Sequence, residues 1–232
     1  MNQQLDTRNT SVQNRPAQLD YILLDASGSM AMKRDDSLNA IDNYVAQLRS
    51  ENVNSTIRVA SFTTNYSGGG DSGFSYTLLR DSSPETWIDM RFDGDLPREG
   101  GSTPLYDAIN TMAREVRGLL PQKCSVIIIT DGDENASKTT VEQARALLDW
   151  MRSMGWQVTF LGCDFENSKQ AKLLGASDEN SVGVSVKRLV DATSLLAEKR
   201  ARYGLYGTDM NMSKDEKNEI GGLLPDHSNG GN

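Results

Sequence analysis

The pentapeptide Asp25-Ala26-Ser27-Gly28-Ser29 sets one carboxylate and two hydroxyls at alternate positions. Alternate side chains of an extended chain share a side, so these oxygens converge if the strand before them continues past Leu24. Gly28 lets the backbone turn tightly enough to gather the hydroxyls. Two other segments carry matching chemistry. Gly100-Gly101-Ser102-Thr103-Pro104 reads as a flexible loop closed by a helix start, and Asp131 follows the most apolar run of the chain. Asp25, Ser27, Ser29, Thr103 and Asp131 together make an all-oxygen set. Such a set suits a hard divalent ion, Mg²⁺ or Mn²⁺, and offers no soft donor for zinc or copper. Hydroxyls are neutral, weak ligands, so a cation they hold keeps much of its charge and attracts an external anion. Each piece alone has a plainer reading: an N-cap cluster, a helix start, a turn. Their joint occurrence at element edges is what points to a metal site.

The elements that must position these residues follow from periodicity. Leu19-Asp-Tyr-Ile-Leu-Leu24 is a short apolar run before Ser/Gly punctuation and reads as a buried strand. Leu38, Ile41, Tyr44, Val45 and Leu48 are spaced for one face of a helix. Ile57 to Phe62 reads as a second strand. The alternation Phe74, Tyr76, Leu78 after the Gly-rich Ser67 to Gly73 stretch makes a third, joined to it as a hairpin. Pro84 to Gly101 receives no firm assignment, with Trp87, Ile88 and Phe92 expected to pin it down. Leu105, Ile109, Met112, Val116 and Leu119 mark a helix with Pro104 at its first position and Thr103 as its N-cap. Val126-Ile-Ile-Ile129 is a β-branched run of the kind buried on both faces of a parallel sheet. A helix from Thr140 to Met154, a strand from Trp156 to Cys163, a short helix Lys169 to Leu174, a short strand Ser181 to Val184 and a last helix Leu189 to Tyr203 complete the pattern. In the last helix Leu195 and Leu196 are expected to face inward.

Strands alternating with helices predict an α/β fold: a doubly wound, mostly parallel sheet with helices on both faces. The expected organisation is a flexible arm over residues 1–17, one domain over 18–204, and a polar tail over 205–232. In that tail Ser213 and Glu216 fit a capping box for one small helix. The 232 residues are 37% hydrophobic and 24% charged, which fits one large domain. A formal net charge of −8, with no basic cluster, argues against a nucleic-acid partner. No apolar run of signal or membrane-spanning length is seen, so the expected location is the cytoplasm. Cys124 and Cys163 lie in predicted strands without metal-ligand spacing and read as buried free thiols. His227, the only histidine, falls in a Gly/Asn-rich tail and reads as solvated.

With these residues in view, Asp25-Ala-Ser-Gly-Ser29, Thr103 and Thr130-Asp131-Gly132 resemble the metal-ion-dependent adhesion site of von Willebrand factor A domains. The resemblance covers Asp20 to Arg200. It implies a Rossmann-like sheet of about six strands with one antiparallel edge strand, here Phe74 to Leu79. It further implies that Ser27 and Ser29 bind the metal directly, and that Thr103 does so in the ligand-competent state. Asp25 and Asp131 would act through waters or hydrogen bonds, and a partner's Asp or Glu would complete the coordination. Thr103-Pro-Leu-Tyr-Asp-Ala-Ile109 and Ile129-Thr-Asp-Gly-Asp-Glu-Asn135 look like the cytosolic bacterial and bacteriophage branch. Members of that branch often act with AAA+ ATPases or in stress-response and phage assemblies. Ser102, inserted before Thr103, adds a second hydroxyl. Asp133 reads either as a solvated loop charge or as an outer carboxylate.

The leading functional expectation is therefore a protein-binding module that engages an acidic residue through its metal. An alternative is a phage or bacterial structural protein with an incidental metal. A phosphatase-like enzyme fits less well. Ser27 stands where that chemistry wants a second carboxylate, and the chain has no Gly-x-Ser-x-Gly elbow, no P-loop and no histidine in the body of the domain.

Overall fold

The computed structural model describes residues 17–66, 71–90, 100–163 and 168–222. The elements are β1 (Gln18–Asp25), α1 (Arg34–Ser50), β2 (Thr56–Tyr66), β3 (Asp71–Ser82), α2 (Leu105–Leu119), β4 (Lys123–Thr130), α3 (Val141–Ser153), β5 (Gln157–Cys163), α4 (Ser168–Leu173), β6 (Ser181–Val184), α5 (Leu189–Tyr206) and α6 (Lys214–Glu219). They build one six-stranded sheet in the order β3-β2-β1-β4-β5-β6. All neighbours are parallel except the β2–β3 hairpin, which makes β3 the antiparallel edge. The fold is the doubly wound α/β arrangement that the strand and helix alternation predicts.

Period-two alternation divides the core into two layers. Ile22 and Leu24 of β1, with Ile127 and Ile129 of β4, face the layer that holds α1 and α5. Leu19, Tyr21 and Leu23, with Val126 and Ile128, face the layer of α2, α3 and α4. A strand buried on both faces has no polar side to show, which is why β4 reads as an unbroken apolar run. Each fully buried Leu or Ile in these layers contributes about 1.5–3 kcal/mol. Helix α3 starts at a capping box in which Thr140 and Gln143 satisfy each other's backbone N–H groups.

Several expectations change in detail. Ile88 is 70% exposed, whereas Trp87 and Met90 are buried. Asp42 explains the difference, because its carboxylate accepts from the Trp87 indole at 2.9 Å and from the Met90 backbone N–H. Phe92, the arm before residue 17, His227 and most of the Gly-rich stretch after Tyr66 lie outside the described residues. Leu196 is fully buried and Leu195 only partly so. Helix α5 runs to Tyr206 and ends at Gly207, whose φ of 73° suits glycine. Beyond it the capping box of Ser213 and Glu216 forms as expected and starts α6. Met210, Met212 and Ile220 from this polar segment are nonetheless buried in the α1/α5 layer. Among the described residues no helix is long and apolar enough to cross a membrane.

Candidate metal centre

Chain order reverses between β1 and β4, since β2 and β3 extend the sheet one way from β1 and β4 to β6 the other. Ligands in such sheets bind beyond the carboxyl ends of the strands at that switch point. Asp25 is the last residue of β1, and Asp131 directly follows the last residue of β4.

The pentapeptide and the Gly100 loop are tied together by their backbones. Gly28 N–H donates to Gly101 O at 3.1 Å, and Gly100 N–H donates to Ala26 O at 3.1 Å. Strand β2 clamps the loop from its other side: Thr63 donates its hydroxyl to Gly100 O, and the Thr64 hydroxyl accepts from Ser102 N–H at 2.7 Å. Gly101 holds a φ of +73°, and a Cβ there would collide with the backbone and hydroxyl oxygens of Thr64. Only glycine fits that crossing.

All five sequence-predicted residues meet in this place. Ser27 is 2% exposed and Thr103 3%, whereas Ser29 stands at the surface. The Ser27 and Ser29 hydroxyls lie 3.2 Å apart, and Ser29 donates to Asp131 Oδ1 at 2.6 Å. The Thr103 and Ser29 hydroxyls both flank Gly132, within 3.9 and 4.0 Å of where a Cβ would stand. Asp25 is buried; its Oδ1 accepts from Ser27 N–H at 2.8 Å and its Oδ2 from the Thr130 hydroxyl at 2.6 Å.

Thr103 is not the N-cap of α2. That position falls to Pro104, with no side-chain cap, and the helix begins at Leu105. The orphan N–H groups of its first turn are met by the loop after β4, where Glu134 accepts from Tyr106 N–H and Ser137 from Asp107 N–H. Asp107 in turn accepts from the backbone N–H groups of Lys138 and Thr139. Asn135 holds Thr103 by its backbone, accepting from Thr103 N–H at 2.8 Å while Asn135 N–H donates to Thr103 O. The hydroxyl of Thr103 is thus left out of helix capping and faces the cluster. Asp133 is exposed, in keeping with a solvated loop charge.

Sequence reasoning gave no role to five supporting side chains: Lys33, Thr63, Thr64, Thr130 and Asn135. Thr130 and Asn135 flank Asp131 closely enough for the polar run after β4 to have signalled them. Lys33 and Thr64 offer no local signal. Lys33 reaches Asp131 beyond the strand ends, its Nζ 2.6 Å from Oδ2.

The electrostatics single out Asp25. Burial pushes its carboxyl up to about 6, against the opposing pull of the Thr130 hydroxyl and the Ser27 N–H; the charge of Asp131 adds to the rise. Among the described residues Asp25 has no salt-bridge partner, only neutral donors. A buried carboxylate without a counter-cation, beside converging hydroxyls, fits a hard divalent ion. No cluster of three His, Cys, Asp or Glu side chains suited to a metal occurs among the described residues, so any ion held here depends on the hydroxyls. Cys124 and Cys163 are free and buried, and burial pushes both thiols up, Cys163 to about 12, which leaves them unreactive. Beside the cluster opens a cleft of about 710 Å³, lined among others by Thr64, Phe74, Asn135 and Lys138.

No family model and no curated protein matches the sequence. Solved structures do. Proximal thread matrix protein 1 from the mussel byssus superposes with a TM-score of 0.58 at 17% identity, over 79% of this chain and 46% of that one. The von Willebrand factor type A protein from Catenulispora acidiphila matches with a TM-score of 0.50 at 16% identity, over 79% of this chain and 42% of that one. The chain has the von Willebrand factor A fold. The pilus adhesin SpaC from Lactobacillus rhamnosus GG shares it, with a TM-score of 0.59 at 14% identity over 80% of this chain and 30% of that one. This chain therefore spans less than half the length of each of these A-fold proteins. A second form of the mussel protein carries zinc in its metal-ion-dependent adhesion site. Oxygen donors alone do not exclude zinc, which also binds carboxylates.

Proposed function

We propose that this chain is a divalent-metal-dependent protein-binding module that engages an acidic side chain of a partner. The observation that carries the reading is the convergence of Ser27, Ser29, Thr103 and Asp131 around a switch point where buried Asp25 meets only neutral donors among the described residues. Ser27, Ser29 and Thr103 would hold the ion, with Asp25 and Asp131 neutralising and orienting from behind. A bound Mg²⁺ or Mn²⁺ supplies positive charge to which a partner's Asp or Glu completes the coordination. Zinc is a further candidate, given the zinc-bearing site of the mussel protein.

The protein's own side chains do the rest. Thr63, Thr64 and Asn135 fix the two loops, so the hydroxyls are set before a partner arrives. The chain's net charge of −8 opposes an acidic partner on average, and the ion would reverse that field locally. Binding requires no covalent chemistry, and the nucleophile-base pairs an enzyme would use have no part in it. The adhesin and matrix proteins that share the fold support a binding role. The motifs around Thr103 and Asp131 align the chain, in this reading, with the cytosolic bacterial and bacteriophage branch, where an AAA+ ATPase is the leading partner class.

The test is affinity capture with the full chain as bait, in Mg²⁺ and in EDTA, alongside Ser27→Ala/Ser29→Ala and Thr103→Ala. Partner retention in Mg²⁺ that is lost in EDTA and in the double variant is expected. Retention undiminished by EDTA would overturn the mechanism.

A further inference from the structure

Lys33 closes the short 3-10 helix Gly28–Lys33, the same element that carries Ser29. The two side chains stand about one turn apart and take the two oxygens of Asp131 between them. Ser29 donates to Oδ1 and Lys33 to Oδ2, each at 2.6 Å. The ammonium also donates to Cys163 O at 3.3 Å, at the end of β5. Asp131 has a side chain only 1% exposed, against 20% for Lys33. A carboxylate that buried needs a counter-charge, and here the protein supplies one from its own chain.

We propose that Lys33 is a tethered counter-cation, which neutralises Asp131 when no divalent ion is present and thereby lowers the affinity of the site for one. This inference rests on the reading of the cluster as a divalent-metal site. With Lys33 in place the cluster of Asp25, Asp131 and Lys33 carries a net charge of −1; without it the charge is −2. A divalent ion settling among Ser27, Ser29 and Thr103 must either displace the ammonium from Asp131 or bear its repulsion at close range. Both oppose binding. The same residue has opposite effects on the two states: it stabilises the ion-free protein and disfavours the ion-loaded one. Lys33 is thus a setting for the metal threshold, distinct from the ligands themselves.

The test is calorimetric titration of MgCl₂ into the full chain and into Lys33→Met, Lys33→Gln and Lys33→Arg, with melting temperatures taken with and without Mg²⁺. Lys33→Met and Lys33→Gln are expected to lower the Kd for Mg²⁺ by about tenfold or more, a floor set by the largely water-screened value for one unit charge at close range. They are also expected to lower the melting temperature of the ion-free protein and to enlarge the rise that Mg²⁺ produces. Lys33→Arg keeps the charge and should bind Mg²⁺ like the wild type. Lys33→Gln retains a hydrogen-bond donor to Asp131, so it reports on charge even if Lys33→Met folds poorly. Unchanged or weaker Mg²⁺ binding in the two neutral variants, with the wild type binding normally, overturns the inference and leaves the metal reading intact. Absence of Mg²⁺ binding in the wild type and all variants overturns both.

Discussion

Asp20 and Asp25 lie near opposite ends of β1, and each is 1% exposed. Asp20 accepts from Arg200 Nε at 2.5 Å and Nη2 at 3.0 Å, and from the Tyr44 hydroxyl at 2.9 Å. Arg200 is itself fully buried, with its third nitrogen 2.9 Å from Gln18 Oε1. At that end of the strand the fold cancels its own charge and uses the pair to fix α5 against β1. At the other end Asp25 is given hydroxyl and amide donors and, among the described residues, no cation. One strand therefore shows both uses of a buried carboxylate. The end where the charge is left over is the end where the chain order reverses and two loops open to solvent.

The contrast predicts mutational effects of opposite sign. Arg200→Met leaves Asp20 buried without its counter-charge, with only the Tyr44 hydroxyl still donating to it, a loss of roughly 3–5 kcal/mol. Urea unfolding should show that loss with the affinity for Mg²⁺ unchanged, because the ion pair sits at the far end of the sheet. Equal damage to both would break the division of roles between the two ends.

Asp25→Asn should act the other way, and by less. The Asp25 carboxyl is raised by burial from its ordinary 3.8 to about 6 in the folded protein. Between those values the folded state binds more protons than the unfolded one, so the contribution of Asp25 falls as pH rises from about 4 to 6 and is flat above. The amide variant escapes that penalty. Without metal at pH 7 it is expected to be more stable than the wild type by on the order of 1–3 kcal/mol. The two unfolding curves should converge at pH 4 or below. Adding Mg²⁺ should reverse the ranking, since only the wild type gains. A metal-free Asp25→Asn protein less stable than the wild type at pH 7 would show that Asp25 is a structural residue like Asp20.

Much of this is legible in the sequence because it depends on local pattern. The β-branched run of Val126 to Ile129 marks a strand with both faces buried, and a central strand of that kind ends close to the switch point, which gives Asp131 its place. The alternation in Asp25-Ala26-Ser27 gives the first cluster. What stays hidden depends on contacts between distant segments. Lys33 is one more polar residue ahead of a helix until the sheet brings Asp131 beside it. Thr103 reads as an N-cap, because a Thr before a helix-starting Pro commonly is one; the competing partners come from Glu134 and Ser137, a loop away. Ile88 reads as an anchor by hydrophobicity alone, whereas Asp42 selects Trp87 and the backbone of Met90. The average polarity of the segment after Gly207 misleads for a similar reason: a polar stretch can still send Met210 and Met212 into a core that α1 and α5 leave open.

The central claim is that neutral hydroxyls at this switch point hold a divalent ion. Its most direct test is titration of MgCl₂ into the full chain and into Ser27→Ala/Ser29→Ala at pH 7, followed by calorimetry. One saturable site in the wild type and none in the double variant is the predicted result. Equal Mg²⁺ affinity in the two proteins, or no binding in the wild type, would contradict it.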